Sequence, residues 1–339
     1  MSASKDSVSA HLLEWYDRSA RVLPWRSPPG APSPEPYRVW LSEVMLQQTT
    51  TAAVAPYYAK FLDRWPTVEA LAEADDAEVM AAWAGLGYYS RARNLIAAAR
   101  AVAARGGFPD SEEGLRALPG VGAYIAAAVA AIAFGRGAVV VDANVERVVS
   151  RLFAISEPLP GARKAIRSKT GAITPVERAG DFAQAMMDLG ATICTPRAPR
   201  CLLCPISADC AARMEGDPAR YPVKAAKKVK PLRKGTAFWV EREGAVWLVR
   251  RPAAGMLGGM RALPDDGWSA RGDGAGERTG EWRDAGLVRH GFTHFDLELA
   301  VRASDREQPV GEGEWWPLDD LAAAGLPTLF AKAAARARA

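Results

Sequence analysis

No apolar run in this chain of 339 residues approaches the ~20 that a membrane-spanning helix needs, so no such span is expected. The opening MSASKDSVSAHLLEWYD has no apolar signal core and carries acids early, which argues against a secretory leader. The expected compartment is the cytoplasm, beside the nucleoid if the source is a bacterium. Cysteine is scarce: there are four, all between positions 194 and 210, and a disulfide framework would spread them along the chain. An excess of one charge is also missing, since 43 Lys and Arg face 39 Asp and Glu for a net +4. That balance admits a nucleic-acid partner without proving one. No internal repeat is evident. What remains is a globular composition, 49% apolar and 24% charged, long enough for two domains with separate cores.

Residues 1 to about 220 read as successive helices. Apolar groups recur at helical spacing in 11–16 and in 37–48, where Val39, Trp40, Val44 and Met45 share a face. The alanine-rich stretches 70–84, 91–104 and 124–134 are further helices, separated by Gly and Pro turns. Within this region only 138–142 suggests a short strand. A basic, acid-free stretch runs from Lys224 to Lys234 and taken alone is a solvated linker. Beyond it 236–241, 245–250 and 290–301 alternate as strands, with a glycine-rich loop over 266–281. The expected organisation is a helical domain over 1–222, a basic linker over 223–235 and an α+β domain over 236–339.

Three local patterns carry chemistry. The spacing Cys194-x6-Cys201-x2-Cys204-x5-Cys210 can wrap one centre, either zinc or a [4Fe–4S] cubane, and spacing alone does not separate them. Gly120 and Gly122 stand just before an alanine-rich helix, where glycine permits close backbone approach and unpaired N–H groups can meet a phosphate; an ordinary helix–turn–helix corner fits as well. Glu43 lies in the apolar run 39–46, where burial would favour its protonated form, unless it faces solvent. Asp142 precedes a helix and is either a cap or a working carboxylate.

The cysteine loop resembles the cluster loop of the endonuclease III superfamily of DNA glycosylases, and 118–126 resembles its helix-hairpin-helix, with an aspartate about twenty residues on. Residues 23–26, 36–49, 85–94 and 184–191 are similar to the MutY-type adenine DNA glycosylase family, so that the likeness covers essentially 8–222. The resemblance implies an all-α helix-hairpin-helix glycosylase domain with a [4Fe–4S] loop, followed by an α+β Nudix-like domain. It implies that Glu43 acts as the acid at adenine N7, that Asp142 stabilises or captures the sugar, and that Arg26 contacts the extruded adenine. Gln48 and Tyr88 would enter the duplex, with Thr49 and Leu86 beside them and Gly120 and Gly122 on phosphate. Cys194, Cys201, Cys204 and Cys210 would ligate the cluster, and Arg197 and Arg200 would face phosphates. Tyr124 stands where bifunctional relatives carry a Schiff-base lysine, so hydrolysis without a lyase step is implied; a packing role for this tyrosine is the alternative.

In the second domain, 249–264 and 292–297 resemble the Nudix-like module that reads 8-oxoguanine, which points to Phe292, Thr293 and His294. Many relatives have tryptophan at Leu257 and serine at Thr293. His294 is alternatively a core histidine. The glutamate-rich box of a Mg²⁺ pyrophosphatase is missing after the glycine loop. The expected partner is double-stranded DNA with adenine opposite 8-oxoguanine or guanine, bound by a monomer. The rival readings are a glycosylase/lyase for oxidised pyrimidines, disfavoured by Tyr124, and a non-catalytic metal-bearing DNA binder, disfavoured by retention of both Glu43 and Asp142.

Overall fold

A computed structural model describes residues 5–225, 229–252, 256–276, 278–309 and 311–339. The chain divides into two compact units, Met1–Ala226 and Lys227–Ala339, each with its own apolar core.

In the first unit the described helices are α1 (Lys5–Ser19), α2 (Pro36–Leu46), α3 (Thr51–Arg64), α4 (Val68–Glu73), α5 (Asp76–Trp83), α6 (Ser90–Ala104), α7 (Glu112–Arg116), α8 (Ala123–Ile132), α9 (Ala143–Leu152), α10 (Arg163–Ile173), α11 (Ala179–Thr192) and α12 (Ala211–Met214). The expected helix over 70–84 is two helices. Asp75 turns its side chain back to accept from the N–H groups of Ala77 and Glu78, which starts α5 afresh. Residues 138–142 form no strand: they are an extended connection between α8 and α9, with no partner strand beside them among the described residues. Helix α8 is buried on every side from Ile125 to Ile132, and its alanines let α2, α7 and α11 pack closely around it. At Gly190 of α11 a Cβ would stand 2.6 Å from that of Asn144, so glycine is what allows α11 to approach the start of α9.

Among the described residues the second unit forms a sheet of six strands in the order β3–β2–β1–β5–β4, with β6 also on β2. These are β1 (Leu232–Arg242), β2 (Ala245–Arg250), β3 (Arg261–Ala262), β4 (Arg283–Gly291), β5 (Asp296–Ser304) and β6 (Gly313–Pro317). β1 runs parallel to β5 from Leu232↔Asp296 to Val240↔Ser304, so strand begins inside the basic stretch; Lys227 and Lys228 of that stretch lie outside the described residues. The expected single strand over 290–301 is a hairpin, β4 and β5, whose connection holds Phe292, Thr293 and His294. Helix α13 (Thr328–Ala337) covers the sheet, closing a core that includes Trp239, Leu299, Val301 and Phe330. Of the stretch 249–264, residues 253–255 lie outside the described residues. No described helix is long and apolar enough to cross a membrane.

Candidate active site

Pro36 opens α2, and Tyr37 and every residue from Val39 to Met45 are buried. Glu43 is among them at 5% exposure, carried into the interior by a helix whose other buried side chains are mostly apolar. Burial pushes its carboxyl up to about 7, opposed in part by a hydrogen bond from Tyr124 and by the charge of Arg26, and reinforced by Asp142. Tyr124, in the first turn of α8, donates its hydroxyl to Glu43 Oε2 at 2.7 Å. Burial holds that phenol well above its usual range, so it stays a donor.

Asp142 is the N-cap of α9. Its Oδ1 accepts from the Val145 N–H at 2.7 Å and its Oδ2 from Asn144 Nδ2 at 2.9 Å. Burial raises its pKa, but these hydrogen bonds pull the other way. Two carboxyls thus share one open cleft of about 1200 Å³ in different settings. One has a single side-chain donor and a strongly raised pKa, whereas several donors favour the anion of the other. That division suits an acid beside an anion.

Arg26, Gln48, Thr49 and Tyr88 line the same cleft. Gln48 and Tyr88 both have left-handed backbone, φ +59° and +49°, and Tyr88 is 64% exposed. Leu86, in contrast, is buried and is not part of the cleft lining. Gly120 and Gly122 form the turn between α7 and α8. At Gly120 φ is +70° and a Cβ would meet that of Asn94 at 2.5 Å; at Gly122 there is open space. Gly120→Ala should therefore cost at least ~1–2 kcal/mol from backbone conformation alone, while Gly122→Ala should leave stability nearly unchanged. Urea unfolding followed by helical circular dichroism separates the two, and equal losses would contradict this reading of the turn.

Reading the sequence missed the groups that brace this cleft. Asp188 of α11 is fully buried and accepts from Arg21 Nε at 2.6 Å and Arg26 Nη1 at 2.7 Å, so Arg26 is held from behind. Arg91 donates to the carbonyls of Val44, Met45 and Leu86 and to Thr49 Oγ1, tying together the two turns that present Gln48 and Tyr88. The available signal was a charged residue at an apolar helix position.

Downstream of α11, two 3₁₀ turns, Cys201–Leu203 and Ser207–Asp209, fold the cysteine loop back on itself. All four cysteines are half-buried and unbonded to one another, and they line one cavity with Arg151 and Arg213. Among the described residues, no three His, Cys, Asp or Glu side chains are grouped to hold a single metal ion. Burial, with the neighbouring thiols, pushes the Cys204 thiol up to about 12. Arg151, 1% exposed, donates to Cys194 Sγ at 3.2 Å and to the carbonyls of Cys194 and Thr195, which fixes the start of the loop to α9. Arg147 links Asn144 Oδ1 to the Cys194 carbonyl, so Asp142 and the cysteine loop are joined through α9. Arg197 and Arg200 are exposed.

In the second unit, Phe292 packs against Trp268 and stacks on Phe295 at 4.7 Å. Thr293 and His294 stand exposed at the hairpin tip; His294 is no core residue.

A family model described as "HhH-GPD superfamily base excision DNA repair protein" matches residues 41–171, and one described as "NUDIX domain" matches 236–336. The adenine DNA glycosylase of Homo sapiens is 37% identical over 311 residues, 76% of this chain and 57% of that protein. That of Mycolicibacterium smegmatis is 41% identical over 210 residues, 61% of this chain and 70% of that protein. This chain thus spans little more than half the length of the human relative. Among solved structures, a thermostable thymine-DNA glycosylase superposes with a TM-score of 0.56 at 31% identity, covering 62% of this chain and 97% of that one.

Proposed function

The chain belongs to the adenine DNA glycosylase family, and we propose that it is a base-excision-repair hydrolase that removes adenine mispaired with 8-oxoguanine or guanine. Its first unit has the helix-hairpin-helix glycosylase fold and its second a Nudix-like fold. The observation that carries the reading is Glu43, buried with its carboxyl near 7, in one cleft with Asp142.

Breaking an N-glycosidic bond needs a proton for the departing purine and an anion near the oxocarbenium-like sugar. The protonated Glu43 gives its proton to adenine N7, with Tyr124 fixing the carboxyl's orientation. Asp142, held by its cap hydrogen bonds, faces the developing cation. Arg26, steadied by Asp188, contacts the extruded base. Gln48 and Tyr88 fill the gap left in the duplex, with Thr49 and Leu86 supporting their turns. The N–H groups at Gly120 and Gly122 take phosphate. No lysine is among the described residues lining the cleft, so nothing there forms an imine and the enzyme hydrolyses without cutting the strand.

Cys194, Cys201, Cys204 and Cys210, gathered around one cavity beside Arg151, are the residues that would hold a [4Fe–4S] cluster, four thiolates being the donor set such a cubane takes. When bound, the cluster cross-links the loop that presents Arg197 and Arg200. The test is a duplex with one A:8-oxoguanine pair: free adenine should appear, and the strand should break only after alkali. Strand breakage without alkali would move the glycosylase/lyase reading ahead.

Preference for the oxidised base comes from Phe292, Thr293 and His294 in the second unit. A base-edge contact is worth ~1–3 kcal/mol. Thr293→Ala and His294→Ala in the full chain should each reduce discrimination between A:8-oxoguanine and A:G by up to about a hundredfold while adenine release persists. Unchanged discrimination in both variants would place recognition around Gln48 and Tyr88.

A further inference from the structure

Helix α10 turns Ile166, Thr170 and Ile173 to the core and carries Arg163, Lys164, Arg167 and Lys169 exposed, with no acid in its length. Two of these cations, Arg163 and Arg167, stand one helical turn apart and line the same cleft as Glu43, Tyr124 and Asp142. Each is steadied by a carboxylate from another helix. Arg163 Nε meets Glu146 Oε1 at 2.7 Å, and Arg167 Nη2 meets Glu112 Oε1 at 3.0 Å while its Nη1 donates to the Val139 carbonyl.

The pairs are lopsided in exposure. The Glu146 side chain is 16% exposed against 66% for Arg163, and Glu112 is 30% exposed against 46% for Arg167. The carboxylates sit low and the guanidinium groups reach outward. Arg163 uses only Nε; its Nη1 and Nη2 bond no acceptor among the described residues. An arginine held by one edge with its terminal amino groups open is preorganised for a bidentate anion. Exposed ion pairs of this kind contribute only ~0–1 kcal/mol, so fold stability does not account for two of them on the rim of one cleft.

We propose that Arg163 and Arg167 form a clamp on backbone phosphates of the strand that carries the extruded nucleotide, with Glu146 and Glu112 holding the guanidinium groups in place beforehand. The clamp rests on the DNA-glycosylase reading above and adds positioning residues to it. It contacts no base and so acts on every duplex alike. The carboxylates also damp the charge presented to DNA, so an amide in place of one, which keeps the acceptor that positions the arginine and drops the charge, should strengthen binding.

The test is duplex binding by the full-length, iron-loaded protein across a range of salt, using an adenosine whose 2′-fluorine prevents cleavage. Arg163→Ala and Arg167→Ala should each weaken binding by about tenfold near 0.1 M salt and lower the slope of log K against log salt by about one. Arg163→Lys should restore the slope. Glu146→Gln should tighten binding severalfold, which a structural strut would not do. Methylphosphonates placed singly around the adenosine should include a position whose loss does not add to that of Arg163→Ala. Unchanged slopes in both arginine variants, or weakened binding in Glu146→Gln, would overturn the clamp while leaving the glycosylase reading intact. Failure of the unmodified protein to bind any duplex would overturn both.

Discussion

Glu43→Gln is expected to abolish adenine release from an A:8-oxoguanine duplex while leaving duplex affinity within a few-fold of the original. The amide keeps the shape of the side chain and can still accept from Tyr124, but it has no proton to give. General acid catalysis contributes ~10²–10⁴-fold, so single-turnover rates should fall at least that far. Because the carboxyl is pushed up to about 7, the rate for the unmodified protein should decline as pH rises past 7, and the residual rate of the variant should lack that limb. Stability should move with the same group. Between pH 4.5 and about 7 the folded protein keeps a proton that the unfolded chain has released, so stability falls as pH rises through that window. The step from 4.5 to about 7 corresponds to on the order of 3 kcal/mol. Thermal unfolding at pH 5 and pH 8 should show this drop in the native sequence and a smaller one in Glu43→Gln. Loss of duplex binding together with helical signal in the variant would instead make Glu43 a structural residue.

The second large effect is expected at the cysteine loop. Purified without air, the protein should be brown with about four irons per chain. Cys204→Ser should lose colour, iron and several kcal/mol of stability, since metal binding in such sites is folding free energy. Loss of adenine release should follow, because Arg147 and Arg151 bond the carbonyl of Cys194 from the helix that Asp142 caps. Colourless native protein with one zinc per chain would refute the cluster. Full activity of a metal-free Cys204→Ser protein would refute the connection through α9.

Fold class and family were legible in the sequence because their marks are local. Gly120 and Gly122 before an alanine-rich helix, the cysteine spacing over 194–210, and the runs around Glu43 and Tyr88 each depend on neighbours in the chain. The hairpin of β4 and β5 was blurred into one strand because alternation continues on both sides of a connection with no glycine or proline between Phe292 and Phe295. The break at Ala74 was hidden because alanines on both sides of it favour helix interiors, and the new start is marked only by the Asp75 cap, with no glycine or proline between the two helices.

The sequence by itself determined which side chains are available to the proposed chemistry: two carboxylates, Tyr124 and four thiols in one loop. It could do so because residue type and spacing along one segment limit what that segment can ligate or protonate. Only the tertiary structure decided whether Glu43 is buried or exposed, since that depends on α2 being enclosed by helices distant in sequence. The same holds for the cap at Asp142 sharing a cleft with Glu43, for Asp188 behind Arg26, and for the exposure of His294. Desolvation and charge act through space, and the groups that set them lie far apart in the chain, as Arg26 lies 162 residues from Asp188.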